Sequence, residues 1–232
     1  MSGHSKWSTI KRQKASSDAK RSNLFTKLAN AISVAARSGG DPAMNFQLRL
    51  ACDKARAANM PKSNIDRAIG RAQGKPEEQI EEAIYEAYGP GGSAILIEAA
   101  TDNKNRASAE IKAVLNKFGG KLAAPGAVSY LFEKRGVIQI ESGKPSVCEE
   151  QVISSPADDY EPTDTGFLVY TRPENLKATQ EFLSAEKITS AEIVFEPKST
   201  HELDENETEK VVKLLEALDG LDDVTSVSSN LG

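Results

Sequence analysis

The stretch Gly89-Pro90-Gly91-Gly92-Ser93-Ala94-Ile95-Leu96-Ile97-Glu98-Ala99-Ala100 divides this 232-residue chain into two kinds of sequence. Its glycines and proline end a helical pattern, and its apolar run predicts a strand that is buried on both faces. Before the stretch, apolar residues recur every three or four positions, which is typical of helices. After it, strand and helix patterns alternate. This order predicts an α+β protein with an all-α N-terminal domain followed by two small α/β layered domains.

The N-terminal part carries three helical patterns that are rich in alanine. The first ends at Gly39-Gly40, and the second runs over about 42–58 with Asn59 as its left-handed cap. The third begins at Ser63, where Asp66 three residues later resembles a capping box. Because their small apolar stripes bury little surface, we expect this module to pack weakly or to need a partner.

The remaining pattern predicts a mixture of short elements. Pro76 opens a fourth predicted helix, whose apolar stripe is formed by Ile80, Ala83, Ile84 and Ala87. Further predicted helices follow Asn103, Pro173 and Asp204, and further predicted strands cover 128–132, 137–141, 166–171, 190–196 and 224–227. The polar, proline-containing stretch 142–164 shows no clear helix. This pattern fits two small sheets better than one, with the last strand at a sheet edge.

Charge is strongly segregated along the chain. Residues 1–75 carry 15 Lys+Arg and 4 Asp+Glu, a net charge of +11. The whole chain carries 29 and 34, so residues 76–232 carry 14 and 30, a net charge of −16. Because a phosphate backbone responds to local potential, the basic module can bind nucleic acid although the net charge of the chain is −5. The alternative is a helical surface that is basic but only solvated.

The composition gives little support to several other classes of function. Cys52 and Cys148 are far apart, and together with His4 and His201 they form no zinc-binding pattern. No Ser-His-Asp or Cys-His set can be argued, so we expect no enzyme, no cofactor and no metal. The longest apolar runs are too short to span a bilayer, and no secretory signal follows the start. We therefore expect a cytoplasmic protein with reduced thiols.

Twelve residues form the predicted nucleic-acid-binding set: Lys6, Trp7, Lys11, Arg12, Lys14, Lys20, Arg21, Lys27, Arg49, Arg56, Lys104 and Arg106. Lysine and arginine neutralise phosphates, and an exposed indole at Trp7 would stack on a splayed base. Residues 1–16 are polar and basic without a sustained period, and we interpret them as an N-terminal arm. The alternative for Trp7 is a core anchor of this arm. Arg67 and Arg71 extend the positive face, or they are ordinary solvated surface. Since no helix-turn-helix spacing is evident, we expect contacts to backbone and shape, in RNA as well as in DNA.

Two further segments have competing interpretations. A candidate contact loop is formed by Gly89, Pro90, Gly91 and Gly92. It lacks the Lys-Ser/Thr pair of a phosphate-binding loop, and the alternative is a tight turn that needs positive φ. Lys104 and Arg106 lie at a predicted helix start, where backbone N–H groups attract anions. The alternative there is a capping role for Asp102 or Asn103.

Several ordered motifs occur over roughly the first 140 residues: Met1-Ser2-Gly3-His4-Ser5-Lys6-Trp7, Asp18-Ala19-Lys20-Arg21, Gly39-Gly40-Asp41-Pro42, Ala58-Asn59-Met60-Pro61-Lys62-Ser63-Asn64-Ile65, Tyr85-Glu86-Ala87-Tyr88-Gly89-Pro90-Gly91-Gly92 and Thr101-Asp102-Asn103-Lys104-Asn105-Arg106. This series resembles the YebC/PmpR family, which includes the mitochondrial translational activator of cytochrome c oxidase. The resemblance implies a helical domain at 1–75, a discontinuous α/β domain at 76–134 plus 200–232, and a ferredoxin-like domain at 135–199 inserted in it. The stretch 142–164 departs from this pattern because it lacks the expected helix.

The resemblance also implies a function. We expect a DNA-binding transcriptional regulator that contacts the phosphate backbone through its basic N-terminal domain. The alternative is a ribosome-associated translation factor that binds ribosomal RNA with the same face. A small-molecule enzyme has the least support and would need a deep pocket with clustered titratable groups. We expect neither a membrane nor a small-molecule substrate as partner.

Overall fold

The structure is a computed structural model that describes residues 6–7, 18–72, 80–142 and 145–232, with the backbone alone for 18–22 and 145–147. Within these ranges the helices are α1 (Asp18–Ala36), α2 (Phe46–Ala57), α3 (Lys62–Arg71), α4 (Lys104–Lys117), α5 (Pro145–Ser154), α6 (Leu176–Phe182) and α7 (Glu205–Asp219). The strands are β1 (Glu81–Tyr88), β2 (Ala94–Thr101), β3 (Lys121–Leu122), β4 (Phe132–Glu141), β5 (Asp159–Thr163), β6 (Gly166–Thr171), β7 (Lys187–Pro197) and β8 (Val224–Ser229). The helical region followed by two sheets confirms the α+β class.

The three N-terminal helices enclose a small core. Its buried residues are Leu28, Ile32, Ala36, Leu48, Cys52, Ala55, Met60, Ile65 and Ala68. Asn45 caps α2 by accepting the backbone N–H of Leu48, and Asn59 adopts the predicted left-handed conformation with a φ of 59°. The predicted capping box at Ser63 is wrong, because α3 begins one residue earlier, after Pro61, and no side chain caps it. Proline fixes its own φ, so it starts the helix without a side-chain cap.

The first sheet has the strand order β3-β1-β2-β8 and antiparallel pairing throughout. β2 is buried on both faces, as its apolar run predicts, and β8 lies at an edge of the sheet. The predicted helix over Ile80, Ala83, Ile84 and Ala87 is wrong, because these residues lead into and form β1. Ala83, Tyr85 and Ala87 also alternate, and pairing with β2 along the whole of β1 decides in favour of a strand.

Helices α4 and α7 enclose the core on one face of this sheet. The core includes Ile95, Ile97, Ile111, Leu115, Val211, Leu214, Leu215, Leu218 and Val227. Asn103 caps α4 by accepting the backbone N–H groups of Asn105 and Arg106, each at 3.1 Å. Asp204 caps α7 and accepts the N–H of Glu207 at 2.8 Å. Both helices therefore begin at capping residues that the sequence predicts.

The second sheet has the strand order β5-β6-β4-β7, and its strand β6 has the predicted bounds. Two expectations fail in this part of the chain. The stretch 142–164 contains helix α5 and strand β5, although its polarity and prolines gave no helix signal. The predicted strand at 128–132 is a 3-10 turn, Ser129–Leu131, because the N–H groups of Val128 and Ser129 bond to the Glu86 carboxylate instead of a neighbouring strand.

The chain forms two compact units. One is made from the residues up to Glu133 together with Glu196–Gly232, and the other is Lys134–Phe195. The three-domain division, with a ferredoxin-like insertion at 135–199, stays a prediction. Among the described residues, no helix is long and apolar enough to cross a membrane.

Candidate nucleic-acid interface

Trp7 is part of the core. Its side chain is only 4% exposed and packs in the cluster under the first sheet. The indole Nε1 donates a hydrogen bond to the backbone carbonyl of Val227 at 2.9 Å. The backbone N–H of the preceding residue, Lys6, donates to the carbonyl of Leu231 at 3.0 Å. The prediction that Trp7 stacks on a base is therefore wrong, and the alternative of a core anchor describes the residue.

Lys27 is also engaged inside the protein. Its Nζ donates to the backbone carbonyl of Asp219 and lies 3.8 Å from the Asp219 carboxylate, and its side chain is 11% exposed. One helical turn earlier, the Asn23 amide donates to the carbonyl of Gly220 at 2.7 Å and to the Asp222 carboxylate at 2.9 Å. A cation at this position also suits the negative end of α7. Lys27 therefore fastens α1 to α7, so its assignment to the nucleic-acid-binding set is wrong.

Lys104 and Arg106, at the start of α4, are both paired with carboxylates. Lys104 Nζ lies 2.6 Å from Glu81, and the Arg106 guanidinium lies 2.9 Å from Asp102 and 2.8 Å from the nearly buried Asp223. Since Asn103 already occupies the first N–H groups of the helix, the capping alternative describes this helix start. Both cations are therefore neutralised by carboxylates of the protein itself. The structure gives no support to the predicted second phosphate contact at this helix start.

Helices α2 and α3 present exposed positive charge. Lys62, Arg67 and Arg71 are exposed on α3, and none of them forms an ion pair within the ranges that the structure covers. On α2, the Arg49 guanidinium lies 5.1 Å from the centre of the Phe46 ring, and Arg56 pairs with Asp53 at 2.6 Å. None of these three α3 residues is among the twelve predicted residues. Arg67 and Arg71 were predicted only as an extension of the positive face, and their spacing of one helical turn is the feature of the sequence that indicates a shared face.

Five predicted residues have no described side chain. Lys11, Arg12 and Lys14 lie outside the described residues, and for Lys20 and Arg21 only the helical backbone of α1 is described. Lys6 is exposed. These six remain predicted phosphate contacts.

The glycine loop is a tight turn at the surface. Gly91 and Gly92 have φ values of 64° and 78°, which favour glycine. A Cβ on Gly91 would lie 2.5 Å from Leu203 Cδ2 and 2.8 Å from Glu207 Oε2, and the Gly91 carbonyl accepts a hydrogen bond from His201 Nε2 at 3.0 Å. The loop thus packs against the segment that leads into α7. The turn alternative accounts for its glycines without an external ligand.

A groove of about 670 Å³ lies in the helical module. It is lined by Gly40, Pro42, Cys52, Arg56, Met60, Lys62, Ile65, Asp66, Ile69 and Gly70. Burial raises the pKa of the Cys52 thiol, so the sulfur stays protonated and unreactive at neutral pH. The described residues contain no group of three metal-ligating side chains. The groove therefore adds no argument for catalysis.

Comparison with known proteins defines the family. A model described as "TACO1/YebC protein N-terminal domain" matches residues 5–75, and one described as "TACO1/YebC second and third domain" matches residues 80–231. The chain therefore belongs to the TACO1/YebC family, which confirms the YebC/PmpR resemblance.

Close relatives match over nearly their whole length. A protein of Chloroflexus aggregans is 46% identical, with 100% of this chain and 95% of the relative covered. A protein of Geobacillus kaustophilus is 45% identical, with 100% and 97% covered. Both are named probable transcriptional regulatory protein. The crystal structure of a conserved hypothetical protein from Aquifex aeolicus has a TM-score of 0.88 at 43% identity and covers 94% of this chain and 93% of its own.

Proposed function

We propose that this protein is a non-enzymatic, nucleic-acid-binding regulator that holds the phosphate backbone with its N-terminal helical module. The main observation that supports this proposal is the separation of charge, with a net charge of +11 in residues 1–75 and −16 in the rest of the chain. A polyanion is attracted to the first region and repelled by the second, so charge alone orients the protein on its partner. The names of the relatives support a regulatory role.

The contact surface is assigned to α3 and the arm that follows Trp7. Lys62, Arg67 and Arg71 are exposed and free of ion pairs in the described chain, whereas Lys27, Lys104 and Arg106 are held by the protein's own carboxylates or carbonyls. Unpaired cations gain more from a phosphate because they give up no existing partner. The interface is therefore built on the helical module and excludes the start of α4.

The preferred partner is duplex DNA, because the relatives are named probable transcriptional regulatory proteins. The proposed role is that of a DNA-binding transcriptional regulator. Binding of the full chain to a duplex of arbitrary sequence, followed by fluorescence anisotropy, is expected to weaken steeply with salt. Replacing Lys11, Lys14 or Lys20 by alanine should flatten the salt slope by about 0.9 for each phosphate contact that is lost. Lys213→Ala is the matched control, because Lys213 is an exposed lysine in the acidic half, paired with Glu209 on α7. An affinity that does not change with salt, or no binding at all, overturns the proposal.

The alternative is a translation factor that binds ribosomal RNA with the same surface. One observation favours keeping it: Trp7 is buried and does not stack on a base, so the remaining candidate residues are lysines and arginines, whose phosphate contacts suit folded RNA as well as DNA. Co-sedimentation with ribosomes separates the two partners. Deleting residues 1–20 would remove a core anchor as well as charge, so the informative variant is Lys11→Ala/Lys14→Ala, which keeps Trp7. Loss of co-sedimentation in this variant supports the alternative, and absence from every ribosomal fraction of the unchanged protein opposes it.

A further inference from the structure

A segment that contains lysines but no acidic residue lies within the acidic half of the chain. Residues 111–132 carry three lysines and no aspartate or glutamate, although residues 76–232 have a net charge of −16. Two tyrosines lie in or beside this segment with their rings in solvent, since Tyr130 is 65% exposed and Tyr88 is 41% exposed. We use the name Tyr130 surface for Tyr88, Lys121, Tyr130 and Lys198.

The four residues form two contacting pairs that are connected by one loop. Lys121 on β3 pairs with Tyr88 on β1 in the antiparallel register, so the two side chains lie next to each other on one face of the sheet. The Tyr88 hydroxyl donates to the carbonyl of Ala127 at 3.1 Å, in the loop that carries Tyr130. Lys198 Nζ donates to the carbonyl of Tyr130 at 2.8 Å. Two aromatic rings and two ammonium groups are thereby gathered around one loop.

The loop that presents Tyr130 is held by a buried carboxylate. Glu86 is 6% exposed and accepts the backbone N–H groups of Gly126 at 2.6 Å, Val128 at 2.6 Å and Ser129 at 2.9 Å. Because the loop is already ordered, displaying the Tyr130 ring to a ligand costs little conformational entropy. A rigid aromatic ring with nearby cations is the arrangement on which unpaired bases stack.

We infer that the Tyr130 surface binds single-stranded nucleic acid, with an unpaired base stacked on Tyr130 and the neighbouring phosphates beside Lys121 and Lys198. Both lysines are exposed, and neither forms an ion pair within the described ranges. The Lys198 ammonium has three donors and uses one of them on the Tyr130 carbonyl, so, unlike the buried Lys27, it can still donate to a phosphate. In a duplex the base faces are covered by stacking, so Tyr130 discriminates in favour of single strands. This inference adds a second nucleic-acid contact to the one proposed for the helical module, and in that sense it rests on the proposed function.

The test uses the full chain and a 12-nucleotide oligouridylate that contains one 4-thiouridine. After irradiation, mass spectrometry is expected to find the main adduct within residues 123–131, at Tyr130. Tyr130→Ala should remove this adduct and weaken oligouridylate binding roughly ten-fold, while Tyr130→Phe keeps the affinity because it keeps the ring. Lys121→Ala should reduce the salt slope by about 0.7, the value for one single-strand phosphate contact.

Controls separate this inference from the proposed function. Phe182→Ala removes another exposed aromatic ring, one that lies outside the Tyr130 surface, and should leave binding unchanged. The unfolding midpoint of Tyr130→Ala should match that of the unchanged protein, since the ring is exposed. Adducts found only within residues 1–75, with equal affinities for Tyr130→Ala and the unchanged protein, overturn this inference and leave the proposed function standing. Adducts at Tyr130 in a protein that shows no salt-dependent duplex binding support this inference and overturn the proposed function.

Discussion

The indole of Trp7 donates a hydrogen bond to the backbone carbonyl of Val227, across 220 positions of the sequence. With the bond from Lys6 N–H to the carbonyl of Leu231, it fixes the beginning of the chain to the last strand and the residues that follow it. The basic arm therefore starts from a fixed point in the acidic half. Any truncation that includes Trp7 changes the core and the charge together, so the two effects have to be separated by point substitutions.

Replacing Trp7 by alanine should destabilise the protein by about 3–5 kcal/mol, the range for emptying a large aromatic site in a core. Trp7→Phe should cost less, because it keeps much of the ring and loses the hydrogen bond to Val227. Urea unfolding followed by circular dichroism gives both values. A midpoint for Trp7→Ala equal to that of the unchanged protein would contradict the anchoring role.

Lys27→Ala should lower stability by about 2 kcal/mol, because it removes the hydrogen bond to the carbonyl of Asp219 and the ion pair with its carboxylate. The salt slope of duplex binding should stay the same, because Lys27 does not reach the nucleic acid. The two measurements are thermal unfolding and anisotropy titration. A stable variant with a flattened slope would return Lys27 to the phosphate-binding set.

Glu86 should make stability depend on pH. Burial alone would raise its pKa, but the N–H groups of Val128, Gly126 and Ser129 together outweigh that effect and lower the pKa. A lowered pKa in the folded state stabilises the protein above the ordinary glutamate pKa of about 4.3, and this contribution disappears as the pH falls through the folded value.

Glu86→Gln should therefore cost about 2 kcal/mol at pH 7, because the amide NH2 group meets backbone donors instead of accepting from them. The cost should shrink as the pH is lowered from 7 to 3, because the unchanged protein loses part of the same contribution as its carboxylate becomes protonated. Glu82→Gln, which alters an exposed residue on the same strand, serves as the control. A cost for Glu86→Gln that does not vary between pH 3 and pH 7 would contradict the pKa direction.

The glycine loop allows a matched pair of substitutions. Gly91→Ala combines left-handed strain with a contact against Leu203, and should cost about 2–3 kcal/mol. Gly92→Ala carries the strain alone, because a Cβ there meets open space, and should cost about 1 kcal/mol. Neither change should alter nucleic-acid affinity at equal folded fraction. Weaker binding by a stable Gly92→Ala protein would restore the contact-loop interpretation.

Most elements of the fold were predictable because their signals are local. Asn59, Asn103 and Asp204 mark helix ends through side-chain or left-handed backbone chemistry that acts within a few residues. β2 was predictable from its apolar run. β1 was not, because its residues fit both a helical and an alternating period, and pairing with β2 and β3 decides between them.

The candidate site was less predictable than the fold. Charge segregation is visible in composition, but which cations stay available depends on carboxylates that are distant in sequence. Arg106 meets Asp223 and Lys27 meets Asp219 only after the chain has folded. Trp7 could be interpreted either as a base-stacking residue or as a core anchor. Its hydrogen bond to Val227, 220 positions away, decides for the anchor, and no local pattern indicates this partner.

The most direct test of the account is the salt dependence of duplex binding by Lys62→Ala/Arg67→Ala/Arg71→Ala. Each lost phosphate contact should reduce the slope of log affinity against log salt by about 0.9, while the unfolding midpoint stays unchanged because all three side chains are exposed. A matched protein with Lys177→Ala, Lys210→Ala and Lys213→Ala, three exposed lysines in the acidic half, should keep the original slope. Identical slopes for the unchanged protein and the α3 variant would contradict the claim that this face of the helical module holds the phosphate backbone.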